Sequence, residues 1–374
     1  MTQYIASPLA AAGMHEAAPL QIAANCWMVG YRNPASLLQC NTYLRIFEDA
    51  AGPVRVCVDP GSQFDYSVIE ANLQTLIGGV AEVDVMSVNH QDPDVVGNAF
   101  AFCDANPHIA MLVSHDTWRL AQHLLINPGR VEFAGVRHAQ PVQFAGQRRW
   151  QAVPTPFCHF RGAVAFYDPE IRTLFTGDLF GGLNQIGRVH LFAEENDWQG
   201  VAQFHQIYMP SREVLRYAVR QIRTLTPAVE IIAPQHGHVI VGDRVPQFLE
   251  RMEGLLVGHD LLACELDEQY LGEYSELLHQ LVEWVKEVVG DGELRARLTA
   301  PETRDAIAPF VRITAQGVDV VRGSYSAAGL VFLALARGES ADFVNEMRGL
   351  VMRLCGARQL PVPPVGLGVE RMTN

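Results

Sequence analysis

The chain has 374 residues, 49% of them hydrophobic and 18% charged, which is ordinary for a globular protein and long enough for two domains. Its formal net charge of −13 argues against general nucleic-acid binding, because phosphate backbones recruit basic surfaces, although a local pocket can still hold a small anion. The seven cysteines form no CxxC pair, the N-terminus lacks a secretory signal pattern, and no apolar stretch is long enough to cross a bilayer. We therefore expect reduced thiols, a cytoplasmic location and no membrane partner.

Through about residue 260, strand-like segments alternate with helical ones. Strands are predicted at 26–32, 40–47, 54–61, 83–88, 109–115, 148–157, 172–178 and 229–238. Helices are predicted at 64–79, 115–125 and 211–225. Alternation of this kind indicates a mixed α and β domain whose helices cover sheets.

The pattern becomes helical after about residue 245. Further helices are predicted at 267–289, 293–299, 326–336 and 340–355, and a tail rich in proline and glycine follows. The helix at 267–289 carries one apolar stripe, formed by Tyr270, Tyr274, Leu277, Leu278, Leu281, Trp284, Val285 and Val288. We therefore expect a first domain over residues 1–260 and a helical C-terminal region over residues 261–374. The stripe must pack on the first domain, on its own neighbours or on a second subunit, and it favours a homodimer.

A cluster of potential metal ligands follows the apolar strand at 83–88. His90, Asp92 and Asp94 lie within five residues of one another. A helix start is one explanation: Asp92 would be the N-cap, Pro93 the first helical residue, and Asp94 an acid favoured by the helix dipole. That explanation assigns no role to His90, so a metal site is the competing hypothesis.

Three other predicted strands end in metal-competent side chains. His159 follows the first, Asp178 ends the second, and His236 follows the third, with His238 two residues later. Singly, each has a simpler explanation as a core histidine, a turn aspartate or a polar turn. Together with His90, they stand at four strand ends, where loops assemble sites in proteins with helices outside their sheets.

The order and spacing of these residues resemble the metallo-β-lactamase fold, and within it the diiron branch of flavodiiron and oxygen-binding diiron proteins. The chain shows His90-x-Asp92-x-Asp94, then His159, then Asp178 after an 18-residue gap, then a distant His236. The segment TPFCHFRGAVAFYDPEIRTLFTGDLFGG is similar to the family throughout, and the resemblance covers roughly residues 20–250. It implies an α+β fold, a metallo-β-lactamase-like αββα sandwich, followed here by the helical region.

The resemblance also implies the ligand set. His90, Asp92 and His159 would hold the first metal ion, Asp94 and His236 the second, and Asp178 would bridge them. Three histidines and three aspartates without a thiolate favour two iron ions, with manganese or zinc as alternatives. An anionic bridge is expected because two adjacent cations otherwise repel each other strongly.

One position departs from the family. The residue after Asp94 is commonly a histidine that binds the second metal, and here it is Val95. The second ion would then have an open position or a substitute ligand. His238, His190 and His205 are the candidates, and each has a solvent-facing role as its alternative.

A second departure concerns electron supply. Flavodiiron reductases carry a flavodoxin domain, whereas the helical pattern after residue 260 contains no strand followed by a phosphate-binding loop, so no FMN is expected in this chain. The favoured hypothesis is a diiron protein that binds dioxygen as a sensor or reacts with oxygen or nitric oxide, with the C-terminal helices for dimerisation or signalling output. Two alternatives are a dinuclear hydrolase of an ester or phosphodiester, such as a cyclic dinucleotide, and a metal-bearing interaction protein.

Overall fold

The computed structural model of the chain describes residues 17–34, 36–48, 52–134, 140–143, 149–185, 187–265, 269–314 and 317–365. The chain divides into two compact units between Leu255 and Leu256. The assignment of a diiron domain to residues 1–260 and of a dimerisation or output region to residues 261–374 stays a prediction.

The first sheet of the first unit has seven strands within the described residues, and they lie side by side in chain order. They are β1 (Leu20–Ala23), β2 (Cys26–Met28), β3 (Tyr43–Phe47), β4 (Val54–Val58), β5 (Val85–Ser87), β6 (Ala110–Val113) and β7 (Arg130–Phe133). Neighbours from β1 to β4 pair antiparallel, and neighbours from β4 to β7 pair in parallel. Because parallel strands point the same way, the carboxyl ends of β4, β5 and β6 share one edge of the sheet.

The second sheet has six strands in the described part of the chain, again in chain order. They are β8 (Gln140–Gln143), β9 (Arg149–Pro154), β10 (Val164–Asp168), β11 (Thr173–Gly177), β12 (Ile231–Pro234) and β13 (Ile240–Val241). Neighbours are antiparallel except β11 and β12, which are parallel. The sequence pattern predicted β9, β11 and β12 but missed β10, because all five of its residues are buried and no polar alternation marks it.

Helices cover the outer faces of the two sheets. They are α1 (Tyr66–Ile77), α2 (Pro93–Val96), α3 (Ala99–Ala105), α4 (His115–Ala121), α5 (Trp198–Tyr208), α6 (Arg212–Arg223) and α7 (Arg244–Gly254). On the first sheet, Leu73 of α1 and Phe102 of α3 belong to one buried cluster with Met86 of β5. On the second sheet, α6 buries Leu215 and Val219 and packs on β9.

The inner faces of the sheets form the central core of the first unit. Tyr43 and Phe47 of the first sheet pack with Trp150, Phe166 and Phe175 of the second, and all five side chains are buried. Ring centroids of Phe47 and Trp150 lie 6.2 Å apart, and those of Tyr43 and Phe175 lie 5.5 Å apart. Two sheets packed face to face with helices outside form the αββα sandwich that the sequence predicted, and the predicted fold class is confirmed.

The second unit is mostly helical. Its helices are α8 (His259–Glu265), α9 (Gln269–Val289), α10 (Asp291–Thr299), α11 (Pro301–Ile307), α12 (Ser324–Ala336) and α13 (Ala341–Arg358). A short hairpin that the sequence did not predict, β14 (Val311–Ile313) with β15 (Val318–Val320), lies between α11 and α12. None of the helices in the described ranges combines the length and apolar character needed to cross a membrane.

The apolar stripe of α9 is buried within its own unit. Leu277, Leu281 and Val285 are fully buried in a cluster that includes residues of α12 and α13, whereas Val288, predicted to share the stripe, is 55% exposed. The stripe therefore packs on neighbouring elements of the same chain, and its burial does not require a second subunit.

Candidate metal centre

The acidic turn after β5 begins α2 without serving it as a cap. Asp92 occupies the N-cap position and Pro93 the first helical position, as a helix start requires, but the Asp92 side chain makes no capping hydrogen bond. Its Oδ2 lies instead 2.9 Å from Nε2 of His159. The carboxylate is therefore directed at the second sheet's histidine, and the helix-start explanation accounts for its backbone only.

The structure brings four of the predicted residues into a first ligand group, defined as His90, Asp92, His159 and Asp178. Each offers one nitrogen or oxygen atom, and all these atoms lie within 4.8 Å of one another. Oδ1 of Asp178 is 3.4 Å from Nε2 of His90, and Oδ2 of Asp178 is 3.2 Å from Nε2 of His159. His90 and Asp178 are buried, whereas Asp92 and His159 are partly exposed.

A second ligand group contains the other two predicted residues and one that the sequence did not single out. Its members are Cys40, Asp94 and His236, whose donor atoms also lie within 4.8 Å of one another. Oδ2 of Asp94 is 3.4 Å from Nε2 of His236 and 3.8 Å from Sγ of Cys40. The predicted set of three histidines and three aspartates stays a prediction, and the structure adds the Cys40 thiol as a neighbour of two of them.

Asp178 stands between the two groups. Its Oδ1 is 3.4 Å from Nε2 of His90 and 3.3 Å from Nε2 of His236. Within the described residues, this oxygen and Nε2 of His90 are buried and have no hydrogen-bond partner. Buried polar atoms left this way are costly unless a ligand binds them.

The spacing of these atoms fits cations. Donor atoms bonded at about 2.1 Å to one cation lie roughly 3.0–3.5 Å from each other, and the contacts that Asp178 makes with three histidines fall in that range. The donor set thus suits two adjacent cations with Asp178 shared between them. That these particular residues bind metal stays a prediction.

The close contacts between carboxylates and imidazoles shift the pKa values of groups in the site. Burial acts to raise the pKa of the Asp178 carboxyl, but His90, His159 and His236 outweigh it and hold this pKa well below its usual range. Hydrogen bonds to Asp178 and Asp92 raise the pKa of His159 to about 10. Without a cation, a proton on His159 offsets the charge of these two acids, so metal ions and protons compete for the same atoms.

Backbone contacts orient the imidazole of His236. Its Nδ1 donates a hydrogen bond of 2.7 Å to the carbonyl oxygen of Gln39, which leaves Nε2 directed at Asp94 and Asp178. A backbone carbonyl in this position is the usual device that fixes the tautomer of a metal-binding histidine.

Asn89 joins the two sheets beside the centre. Its Nδ2 donates hydrogen bonds of 2.6 Å to the carbonyl oxygen of Val164 and 3.0 Å to that of Phe175. The amide of Val164 in turn donates to the carbonyl oxygen of Asn89 at 3.1 Å. The residue before His90 is therefore fastened directly to β10 and β11, and the latter strand leads into Asp178.

His205, one of three candidates for an additional ligand, has both ring nitrogens engaged. Its Nδ1 donates to the carbonyl oxygen of Val201 at 2.7 Å, and its Nε2 accepts from the amide of Phe180 at 3.0 Å. Burial lowers the pKa of His205 to about 4, so the ring is neutral. Its contact holds the turn that begins at Asp178.

His190 and His238, the other two candidates, form a separate network with Asp197 and Arg32. The two imidazole rings stack at 4.1 Å with an interplanar angle of 8°. Nε2 of His190 donates to Oδ2 of Asp197 at 2.8 Å, and Nη2 of Arg32 lies 3.0 Å from Nδ1 of His238. Donor atoms of His190, Asp197 and His238 lie within 4.8 Å of one another, but the guanidinium of Arg32 beside His238 disfavours a further cation. The network instead supports the turn that contains His236.

Val95 leaves no donor at the position where the family commonly has a histidine. Its side chain is fully buried in the apolar cluster between the first sheet and its helices. The thiol of Cys40 is the additional donor atom in the described part of the site. Sequence spacing could not reveal it, because Cys40 is 54 residues from Asp94 and lies in the loop before β3.

Comparisons with known proteins find relatives that match the part of the chain containing the two ligand groups. A family model described as ODP family beta lactamase matches residues 38–237, a range that contains both ligand groups. Type A flavoprotein fprA of Rhodobacter capsulatus is 29% identical over 166 residues, which are 42% of this chain and 36% of that protein. The chain thus matches only about a third of the length of this curated relative.

Solved structures show the same fold. Two structures of the chemotaxis sensor ODP match this chain, one of a peroxy diiron species and one of the apo state from T. denticola. Each is 24% identical to this chain, with a TM-score of 0.54. Each match covers 66% of this chain, together with 98% of the peroxy diiron structure and 96% of the apo structure. Rubredoxin oxygen:oxidoreductase of Desulfovibrio gigas is 16% identical with a TM-score of 0.55, covering 63% of this chain and 61% of that one.

Proposed function

The chain belongs to the ODP family beta lactamases, and from that premise we propose that it is a non-haem diiron protein that binds dioxygen. The observation that carries the proposal is Asp178, whose buried and unpartnered Oδ1 faces His90 of one ligand group and His236 of the other, as the described residues show. The family resemblance inferred from the sequence is confirmed at this level.

In the proposed centre, each ion has its own protein ligands. His90, Asp92 and His159 hold the first iron ion, Asp94 and His236 hold the second, and Asp178 is shared. When bound, two ferrous ions would supply electrons and Lewis-acidic coordination positions for dioxygen. Manganese and zinc remain alternatives to iron, and the oxygen-rich donor set favours iron.

The burial of the ligands defines a side from which a small molecule can approach. His90, His236 and Asp178 are almost wholly buried, whereas the side chains of Asp92 and Asp94 are 32% and 31% exposed. Dioxygen would reach the ions from the side of these two acids. The buried imidazoles on the other side fix the ions and exclude water.

A sensor role is preferred to a reductase role. The relative from R. capsulatus is named a flavoprotein, and the relative ODP is named a chemotaxis sensor. We propose that this chain resembles the second in function, that it holds no FMN, and that its second unit serves dimerisation or output.

The proposed setting is a cytoplasmic homodimer that binds neither nucleic acid in general nor membranes. Because the stripe of α9 is buried within its own unit, a dimer must form through another surface. Light scattering on the full-length protein tests the dimer, and a monomer over the accessible concentration range would contradict it.

The central experiment measures metal content and the response to dioxygen. Protein produced with iron available and purified anaerobically should contain two iron ions per chain, and adding dioxygen should produce a charge-transfer band in the near-ultraviolet or visible. Asp178→Asn should lose one or both ions and the band, whereas Asp104→Asn, at an exposed position of α3, should retain both. One zinc ion and no iron in the wild type would overturn the proposal.

A further inference from the structure

The proposed diiron function leaves the second ion short of one protein ligand, and this inference rests on that function. We propose that the Cys40 thiolate binds the second iron ion in place of the imidazole that Val95 does not provide. This ligand would bind through sulfur rather than an imidazole nitrogen, and it lies far in sequence from residue 95, where the family commonly has its histidine.

The backbone around Cys40 is docked onto the turn that contains His236. The preceding carbonyl, from Gln39, accepts the hydrogen bond from Nδ1 of His236. The following residue, Asn41, donates from its amide to the carbonyl oxygen of Gln235 and from Nδ2 to that of Gly237, at 2.5 and 3.1 Å. Cys40 therefore lies between Gln39 and Asn41, which both form hydrogen bonds with the turn that contains His236.

The thiol faces the donors of the second group. Sγ of Cys40 donates a hydrogen bond of 3.8 Å to Oδ2 of Asp94, and it lies within 4.8 Å of the His236 donor atom. A bond of about 2.3 Å from a cation to sulfur and one of about 2.1 Å to oxygen place those two ligands roughly 3.6 Å apart. The observed separation matches a shared cation.

An independent observation points to a cation at the same place. Asp178 is 3% exposed, and its Oδ1, which has no hydrogen-bond partner in the described part of the chain, faces His236 at 3.3 Å. The ion that satisfies this oxygen on the His236 side would also lie next to the thiol. Cys40 is therefore placed beside an atom that needs a cation.

Ligand number and charge also favour the thiolate. With Cys40, the second ion has four protein ligands, counting the shared Asp178, and so has the first. Three carboxylates and one thiolate together balance the charge of two ferrous ions, which lowers the cost of burying the centre. On binding, the S–H bond breaks, an Fe–S bond forms, and the proton leaves to solvent, with no change in oxidation state.

X-ray absorption at the iron edge tests the inference on full-length protein loaded with ferrous iron in a buffer free of thiols. The wild type should show sulfur bound at about 2.3 Å, and Cys40→Ala should lose that signal. Cys103→Ala, which removes a thiol of α3 outside both ligand groups, should keep it. Affinity for the second ion should fall more than about tenfold in Cys40→Ala, because even the loss of a group that only hydrogen-bonds to a metal ligand lowers metal affinity about tenfold or more.

A second variant and a chemical probe protect the test against misfolding. Cys40→His should keep two ions while losing the sulfur signal. In the wild type, alkylation of Cys40 by iodoacetamide, followed by mass spectrometry, should slow at least tenfold on iron loading, with Cys103 as the internal reference. Two bound ions without a sulfur ligand and without protection of Cys40 would overturn this inference and leave the diiron proposal standing. Failure of the wild type to bind a second ion would overturn both.

Discussion

Nη1 of Arg32 donates a hydrogen bond of 2.7 Å to the carbonyl oxygen of Gly237, which is 205 residues away in sequence. Gly237 directly follows the candidate ligand His236. Nη2 of the same buried guanidinium donates to the carbonyl oxygen of His190, also at 2.7 Å. Burial lowers the pKa of Arg32 to about 10, so it remains charged at neutral pH. One cation thus anchors two turns, one of which orients a proposed ligand.

Arg32→Met should weaken the second metal position without removing any proposed ligand. The carbonyl oxygens of Gly237 and His190 would each lose the donor from Arg32 and keep one from Asn41 or His238, so each lost bond should lower the free energy of unfolding by about 1 kcal/mol. Affinity for the second iron ion should fall about 10- to 100-fold, as for other contacts that orient ligands. Calorimetric unfolding and metal titration check both effects against Arg130→Met, whose side chain is 60% exposed. Equal metal affinity in the two variants would contradict the anchoring role.

The metal-free protein should lose stability in alkali. Asp178 and Asp92 raise the pKa of His159 from 6.5 to about 10. The positive charge of His159 therefore stabilises the folded protein fully below pH 6.5, and this stabilisation is lost as the pH rises to about 10. The free energy of unfolding should fall by on the order of 3 kcal/mol across that window. Metal-loaded protein should behave oppositely, since ligands must be deprotonated to bind. Urea unfolding of both forms over the pH range measures this, and parallel pH profiles would refute it.

Replacing the buried Asp59 by asparagine should stabilise the protein. Burial raises the pKa of its carboxyl to about 8, and its Oδ1 accepts a hydrogen bond of 2.9 Å from the amide of Asn89. A raised carboxyl pKa costs the folded state stability as pH rises from the unfolded value toward 8. In the metal-free protein at about pH 8, Asp59→Asn should therefore raise the free energy of unfolding by at least about 1 kcal/mol.

The comparison at acidic pH is the control for Asp59. Near pH 4, where the wild-type carboxyl is already protonated in the folded protein, the variant and the wild type should unfold at the same denaturant concentration. The amide oxygen of asparagine can keep the bond to Asn89, and asparagine tolerates the positive φ of 51° found here. A variant less stable than the wild type at both pH values would contradict the argument.

The hydrolase alternative predicts a measurable activity that we do not expect. Ferrous, anaerobic protein should turn over none of a panel of lactones, thioesters, phosphodiesters and cyclic dinucleotides above about one per second, a typical lower range for enzymes. Turnover above this rate that disappears in His236→Ala would favour the hydrolase over the dioxygen-binding protein. The same panel with metal-free protein controls for contaminating enzymes.

The sequence predicted well which polar residues lie close together at the ends of apolar strands. His90, Asp92 and Asp94 follow a buried strand, and parallel pairing brings such strand ends to a common edge. Asp178 and His236 follow β11 and β12, which are also parallel, and the structure brings them together.

The sequence could not predict the contacts that depend on packing of distant turns. Cys40 lies before an ordinary strand, and nothing in its neighbourhood distinguishes it from the other cysteines. The stack of His190 on His238 arises because the 190 turn folds back beside the 238 turn, an arrangement without a short-range signal. The hairpin of β14 and β15 was missed because strands of three residues are too short to show a period.

The distribution of the proposed ligands along the chain has a consequence for how the protein is made. The residues of the two ligand groups extend in sequence from Cys40 to His236 and follow strands of both sheets. No short segment of the chain contains all the ligands of either ion. At synthesis rates of about 5–20 residues per second, the last proposed ligand leaves the ribosome many seconds after the first. Iron would therefore be acquired after synthesis of the sandwich, by a preformed site that competes with cellular chelators, and the supply of iron would determine how much of the finished protein matures.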